Sequence, residues 1–173
     1  MATGETKPLL SKPESGYGPQ YSEHLFQQYR LYVESAEKTS DRRNKANSDF
    51  IALSTIFVSL LALASQATFL GNPMLAELVL SAFGFLVSTM YCSLIKSYDQ
   101  LNTGKFSVIH EIEKGLPLAL YDHEWDVLGR GKDPAIYTPL SHIERRIPWL
   151  LAAMYAVFTA YFLLSVLGWL PGL

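Results

Sequence analysis

A single cysteine, Cys92, in 173 residues leaves no material for an internal disulfide framework or a cysteine-based zinc cluster. Net charge is nearly absent: 14 Lys and Arg stand against 16 Asp and Glu, giving −2 at pH 7. Nucleic-acid binding driven by bulk positive charge is therefore excluded. Charge of either sign is scarce, at 17% of residues, and unevenly placed. Of the 30 charged residues, 29 lie in residues 5–49 and 96–146. The mean hydropathy of +0.13 averages over that segregation and hides it.

The uncharged stretches are what the chain has in abundance. Phe50 to Leu70 gives 21 residues without charge, Leu78 to Ile95 gives 18, and Ile147 to Leu173 gives 27. A helix needs roughly 20 apolar residues to cross ~30 Å of hydrocarbon. Inside lipid, a helix is the only open-chain way to satisfy every backbone polar group. These runs predict an all-α integral membrane protein with three transmembrane helices. Gly71-Asn72-Pro73 is a turn signal, so the first two spans (about 50–70 and 74–95) form a hairpin. Seven Lys and Arg precede the first span, and seven more lie between the second and third. The positive-inside rule then places the N-terminus and residues 96–146 in the cytoplasm of an inner membrane, with the C-terminus outside. Trp149 and Trp169 stand 20 residues apart, about 30 Å along a helix, and suit the two aromatic belts.

MATGETKPLL has no apolar core, which predicts no cleaved signal. Residues 1–20, with three prolines, read as a mobile tail. From Ser22 to Leu70 there is neither Pro nor Gly, which predicts one continuous helix capped by Ser22, with a kink at most near Ser40-Asp41. Leu25, Tyr29, Val33 and Ala36 form one face of its aqueous half. Leu94, Tyr98, Leu101, Lys105, Val108 and Ile112 extend the second span inward until Gly115 and Pro117, so residues 21–116 make a hairpin lengthened by two cytoplasmic helices. Residues 117–146 read as a loop with a short helix near Asp122 to Leu128. Ser141 to Glu144 has capping-box spacing and leads into the third span, 147–173, with a kink expected at Pro148.

Within the spans, Ser48, Ala52, Thr55, Ser59, Ala62 and Gln66 step by helical intervals along the first helix, and Ser81, Gly84, Ser88 and Cys92 along the second. Small polar stripes either pack helices closely or, in a ring of subunits, line a water-filled path. The bulky Tyr155, Phe158, Tyr161 and Phe162 suit a lipid-facing third span. Glu77 is the one charge in the hairpin and reads as an interfacial carboxylate or the outer mouth of a pore. Arg42, Arg43, Lys45, Arg145 and Arg146 flank the membrane. They suit anionic lipids, an anionic small-molecule messenger, or pairing with Asp41, Asp49 and Glu144. Gly129-Arg130-Gly131-Lys132 lacks the spacing of a nucleotide-hydrolysing loop, yet offers a basic turn that an anionic ligand could touch. His110-Glu111 and His123-Glu124 with Asp126 lack the spacing that puts two imidazoles on one helix face, so no metal or other cofactor is expected. Paired intramembrane acids or histidines are missing, and no enzyme activity is expected. The histidines, all on the cytoplasmic side of this topology, are candidate pH reporters.

Two stretches carry a resemblance. YVESAEKTSDRRNKANSDF (32–50) and SYDQLNTGKFSVIHEIEKGLPLALYDHEWDVLGRGKDPAIYTPLSHIERRIPW (97–149) together resemble the RipA-like family of small bacterial inner-membrane proteins, described as octameric. The layout is more loosely similar to two-helix pore-type effectors of nucleotide-signalled bacterial defence. Neither resemblance brings catalytic residues. The first implies a ring-shaped homo-octamer. The second implies a ligand- or partner-gated pore that depolarises the membrane during anti-phage defence. A non-conducting scaffold that recruits cytoplasmic proteins is the alternative.

Overall fold

The computed structural model describes residues 8–66, 72–139 and 144–170. Among them every element is helical, and three helices are long and apolar enough to cross a membrane. The protein is an all-α membrane protein. The order is α1 (Glu14–Tyr17), α2 (Tyr21–Ala64), α3 (Pro73–Glu113), α4 (Leu120–Val127), a 3-10 turn (Gly129–Gly131) and α5 (Arg146–Val166). The middle element is α3, with α2 and α5 both packed along it.

With no Pro or Gly to interrupt it, α2 runs unbroken for 44 residues, about 66 Å, through Ser40-Asp41 without a kink. It starts at Tyr21, one residue before the predicted Ser22 cap, because Gly18 at φ 103 turns the chain and its carbonyl accepts the Tyr21 N–H at 3.2 Å. It ends at Ala64, short of the predicted Leu70. The Ser65 hydroxyl bonds back to the Ala62 carbonyl, and the Gln66 N–H takes a three-residue bond to Leu63. Both compete with helix continuation. Residues 67–71, including the Gly71 of the turn signal, lie outside the described residues. Asn72 caps α3 through Oδ1 to the Leu75 N–H, with Pro73 in the first helical position, where its missing N–H costs nothing.

Ser141, His142 and Ile143 of the predicted capping box are outside the described residues. Pro148 sits in the first turn of α5 and is fully buried, a position where proline is accommodated without the kink expected of it.

Inside lipid, apolar burial brings no hydrophobic gain, so helix association rests on close packing and on polar contacts. Gly84 supplies the close packing. A Cβ there would lie 2.6 Å from the Tyr155 ring, so the aromatic of α5 lies against the bare backbone of α3. Tyr155 is 1% exposed, and its hydroxyl donates to the Ser54 carbonyl of α2 at 3.3 Å. One side chain therefore ties all three spans, in a cluster with Phe57, Leu61 and Phe162. This corrects the lipid-facing assignment of Tyr155 and Phe162: aromatic bulk alone does not reveal the glycine that makes room for it. A second cluster joins Phe50, Tyr91 and Ile95, with the Phe50 and Tyr91 rings stacked at 4.0 Å and the Tyr91 hydroxyl donating to Asn47.

Candidate functional site

The two small-residue stripes meet different fates. On α3, Ser81, Gly84, Ser88 and Cys92 are all buried, Ser81 and Ser88 at 0% and 1% exposure, on the face that receives α5. On α2, Ser48, Ala52, Thr55, Ser59 and Ala62 are all exposed, as is Gln66 just past its end. The buried face of α2 is the adjacent one, with Phe50, Ser54, Phe57, Leu61 and Ala64. The hydroxyls of Ser48, Thr55 and Ser59 donate to the carbonyls of Asn44, Ile51 and Thr55, one turn back on their own helix. Among the described residues these hydroxyls bond only within their own helix, and the stripe lies on the surface left for lipid, a neighbouring subunit or an aqueous path. Glu77 is half-buried near the start of α3.

The membrane-flanking cations divide in the same way. Arg43 and Glu144 are 13% and 12% exposed at the side chain and pair at 3.4 Å, which fixes α2 to the segment leading into α5. Arg42, Lys45, Arg145 and Arg146 are exposed.

The charged halves of α2 and α3 pack together, with Ala36 and Thr39 buried on α2 and Ile109 buried on α3. Lys105 reaches across: its Nζ donates to Ser35 Oγ at 2.7 Å and stands 5.0 Å over the Tyr32 ring. The packed face of α3 is Ile95, Asn102, Ile109 and Glu113, a spacing of seven and then four. Leu94 and Leu101 of the predicted stripe are 43% and 51% exposed, because the true face lies one residue round the helix.

A buried carboxylate that the sequence reading did not single out organises the distal end. Glu113, 1% exposed in the last turn of α3, accepts the Tyr29 hydroxyl at 2.9 Å and the backbone N–H groups of Tyr121 and Asp122 at 3.0 Å each. An acid at a helix C-terminus opposes the helix dipole. Here the first turn of α4 supplies the compensating partial positive charge and two otherwise orphaned donors. That electrostatic mismatch was the available sequence signal. Burial and the Glu113 bond push the Tyr29 phenol well above its ordinary value, and burial raises Tyr121.

The glycine-flanked turn is built around α4. Gly129, Arg130 and Gly131 all have left-handed backbones, at φ 63, 51 and 65. Non-glycine residues enter that region at a cost, and the flanking glycines enter it freely. The turn folds Arg130 back so that Nε meets Asp126 at 2.5 Å and Nη2 meets Asp122 at 3.1 Å. Hydrogen bonding to Asp126 raises the already high Arg130 value further. The guanidinium is therefore engaged by the subunit's own carboxylates, while Lys132 is exposed. His110 Nδ1 lies 3.8 Å from the same Asp122, and among the described residues no three metal-ligating side chains converge.

The family model of the octameric membrane protein family (8xMP) matches residues 26–164, from the first turns of α2 to the end of α5. No curated protein and no solved structure matches the chain.

Proposed function

This chain belongs to the octameric membrane protein family, and from that premise we propose that its self-assembled ring surrounds an ion-permeable path gated by a ligand or partner. The carrying observation is the stripe from Ser48 to Ala62 on α2, continued by Gln66 just past its end, which is exposed and whose hydroxyls bond, among the described residues, only within their own helix. A lone hairpin cannot enclose a path, but a ring of subunits can bring one such stripe from each to its axis. Hydroxyls and bonded carbonyls there offer ions a surface that lipid-facing leucines do not. Glu77, near the other end of the hairpin, is then the mouth residue, and the α2–α3 stalk with α4 is the part that senses a signal. The lysine and arginine distribution favours an inner membrane with the stalk in the cytoplasm and the C-terminus outside. A membrane-depolarising effector of anti-phage defence fits this design, with no catalysis of its own.

The test is ion flux from liposomes holding the purified oligomer. Wild type should conduct in the presence of the activating signal, and Thr55→Leu/Ser59→Leu should lower the flux while the octamer persists. Absence of flux under every cytoplasmic extract and candidate messenger, with the double variant unaltered in cells, argues for the sealed reading. That second reading, a scaffold for cytoplasmic proteins, is favoured by the exposed Leu118, Leu120, Val127 and Ile136 around α4.

A further inference from the structure

The charge pattern at the start of α5 points to a bound anion. Arg145 and Arg146 are both exposed, and the first turn of the helix contains no acidic residue. The nearest carboxylate in sequence, Glu144, is half-buried and committed to Arg43 of α2. Two guanidinium groups are thus left without a counter-charge from their own segment. Together with Trp149 and Leu150 they line an open pocket of about 460 Å³. Trp149 and Leu150 are 60% and 70% exposed, on a helix apolar enough to cross the bilayer. The pocket is therefore lined by two cationic and two apolar side chains, the combination expected where aromatic belts meet the headgroups.

We propose that this pocket holds an anionic phospholipid, its phosphate between Arg145 and Arg146 and the start of its acyl chains along Trp149 and Leu150. Guanidinium forks match phosphate oxygens in geometry as well as charge. The apolar lining separates a lipid from free phosphate, which has nothing to place against Trp149 and Leu150. The site does not depend on whether the ring conducts. It also distinguishes these two arginines from Arg43, whose charge is used inside the subunit.

Native mass spectrometry of the purified full-length oligomer, titrated with phosphatidylglycerol, phosphatidylcholine or inorganic phosphate, tests it. Wild type should retain phosphatidylglycerol in clear preference to the other two. A basic residue at an anionic membrane surface contributes a factor of about five, so Arg145→Gln/Arg146→Gln should weaken that retention by roughly 25-fold. Arg145→Lys/Arg146→Lys should recover part of it, and Trp149→Ala should weaken it while leaving the charge preference. Equal retention of the two lipids, or an unaltered Gln variant, overturns the proposal. Inorganic phosphate binding as tightly as the lipid overturns the lipid assignment. Loss of the octamer together with the lipid in the Gln variant would assign the arginines to a subunit contact instead.

Discussion

Tyr29 and Glu113 meet across 84 residues of chain, the phenol donating to a carboxylate that also holds the first turn of α4. Three helices converge on one buried acid. Because two of the three donors are backbone amides, no side-chain substitution removes their need for an acceptor.

Glu113→Ala should free α4 from the stalk. It strands the Tyr121 and Asp122 amides and the Tyr29 hydroxyl, each at a cost of about 1–3 kcal/mol if it stays buried. Hydrogen–deuterium exchange should quicken in residues 118–131 with the transmembrane helices unaffected. Unchanged protection there would mean α4 is held by other contacts.

Alkaline titration should loosen the same junction. The Tyr29 phenol is raised in the fold, chiefly by burial. A raised acid keeps its proton in the folded state while the unfolded chain loses it, so the folded state binds more protons above the ordinary tyrosine value of about 10. Its stabilising contribution is complete below that pH and is lost as pH climbs past it. Phenolate absorbance should show a late-titrating tyrosine in wild type that is missing in Tyr29→Phe. Tyr121, also raised, should remain in both.

Gly84→Ala should push α5 away from α3. The added methyl would stand 2.6 to 2.8 Å from three atoms of the Tyr155 ring, and overpacking of that kind costs about 1–3 kcal/mol. Thermal unfolding in detergent should move to lower temperature. Combining it with Tyr155→Ala should cost less than the two single changes added, since the clash disappears with the ring. Strict additivity would show that the contact is not the source of the effect.

Removing one member of the Arg43–Glu144 pair should harm more than removing both. Either single alanine leaves a poorly solvated charge, typically about 3–5 kcal/mol for a buried pair and less for one that keeps some water contact. Arg43→Met/Glu144→Leu should recover much of that stability in the same detergent melts. A double variant as unstable as the worse single would show that the pair acts through something other than mutual charge.

Much of this architecture is legible from where charge is missing. Three uncharged runs give the spans, Asn72-Pro73 opens α3, and the absence of Pro and Gly gives the long α2. The octameric family is likewise legible in the two charged stretches that carry the resemblance. Periodicity was a poorer guide to which face packs. On α3 it favoured Leu94 and Leu101, whereas the buried residues are Ile95 and Ile109, one step round the helix. In a membrane protein both lipid-facing and packed faces are apolar, so hydrophobicity cannot separate them. The same ambiguity placed Tyr155 toward lipid until Gly84 appeared opposite it. In sequence Glu113 is indistinguishable from its neighbour Glu111, an exposed acid paired with Lys114 in the same turn. The partners of Glu113 are two amides and a tyrosine that sequence spacing does not bring together.

The uninterrupted course of α2 has a mechanical consequence. A rod without a hinge cannot absorb a disturbance locally, so displacement at the Tyr21 end arrives in the bilayer as tilt or rotation of the whole shaft. With Asp49 as fulcrum the arm to Tyr21 is ~42 Å, and a swing of roughly 5° carries its tip ~4 Å. A push on the far end of this lever would therefore turn the hydroxyl-bearing flank with it.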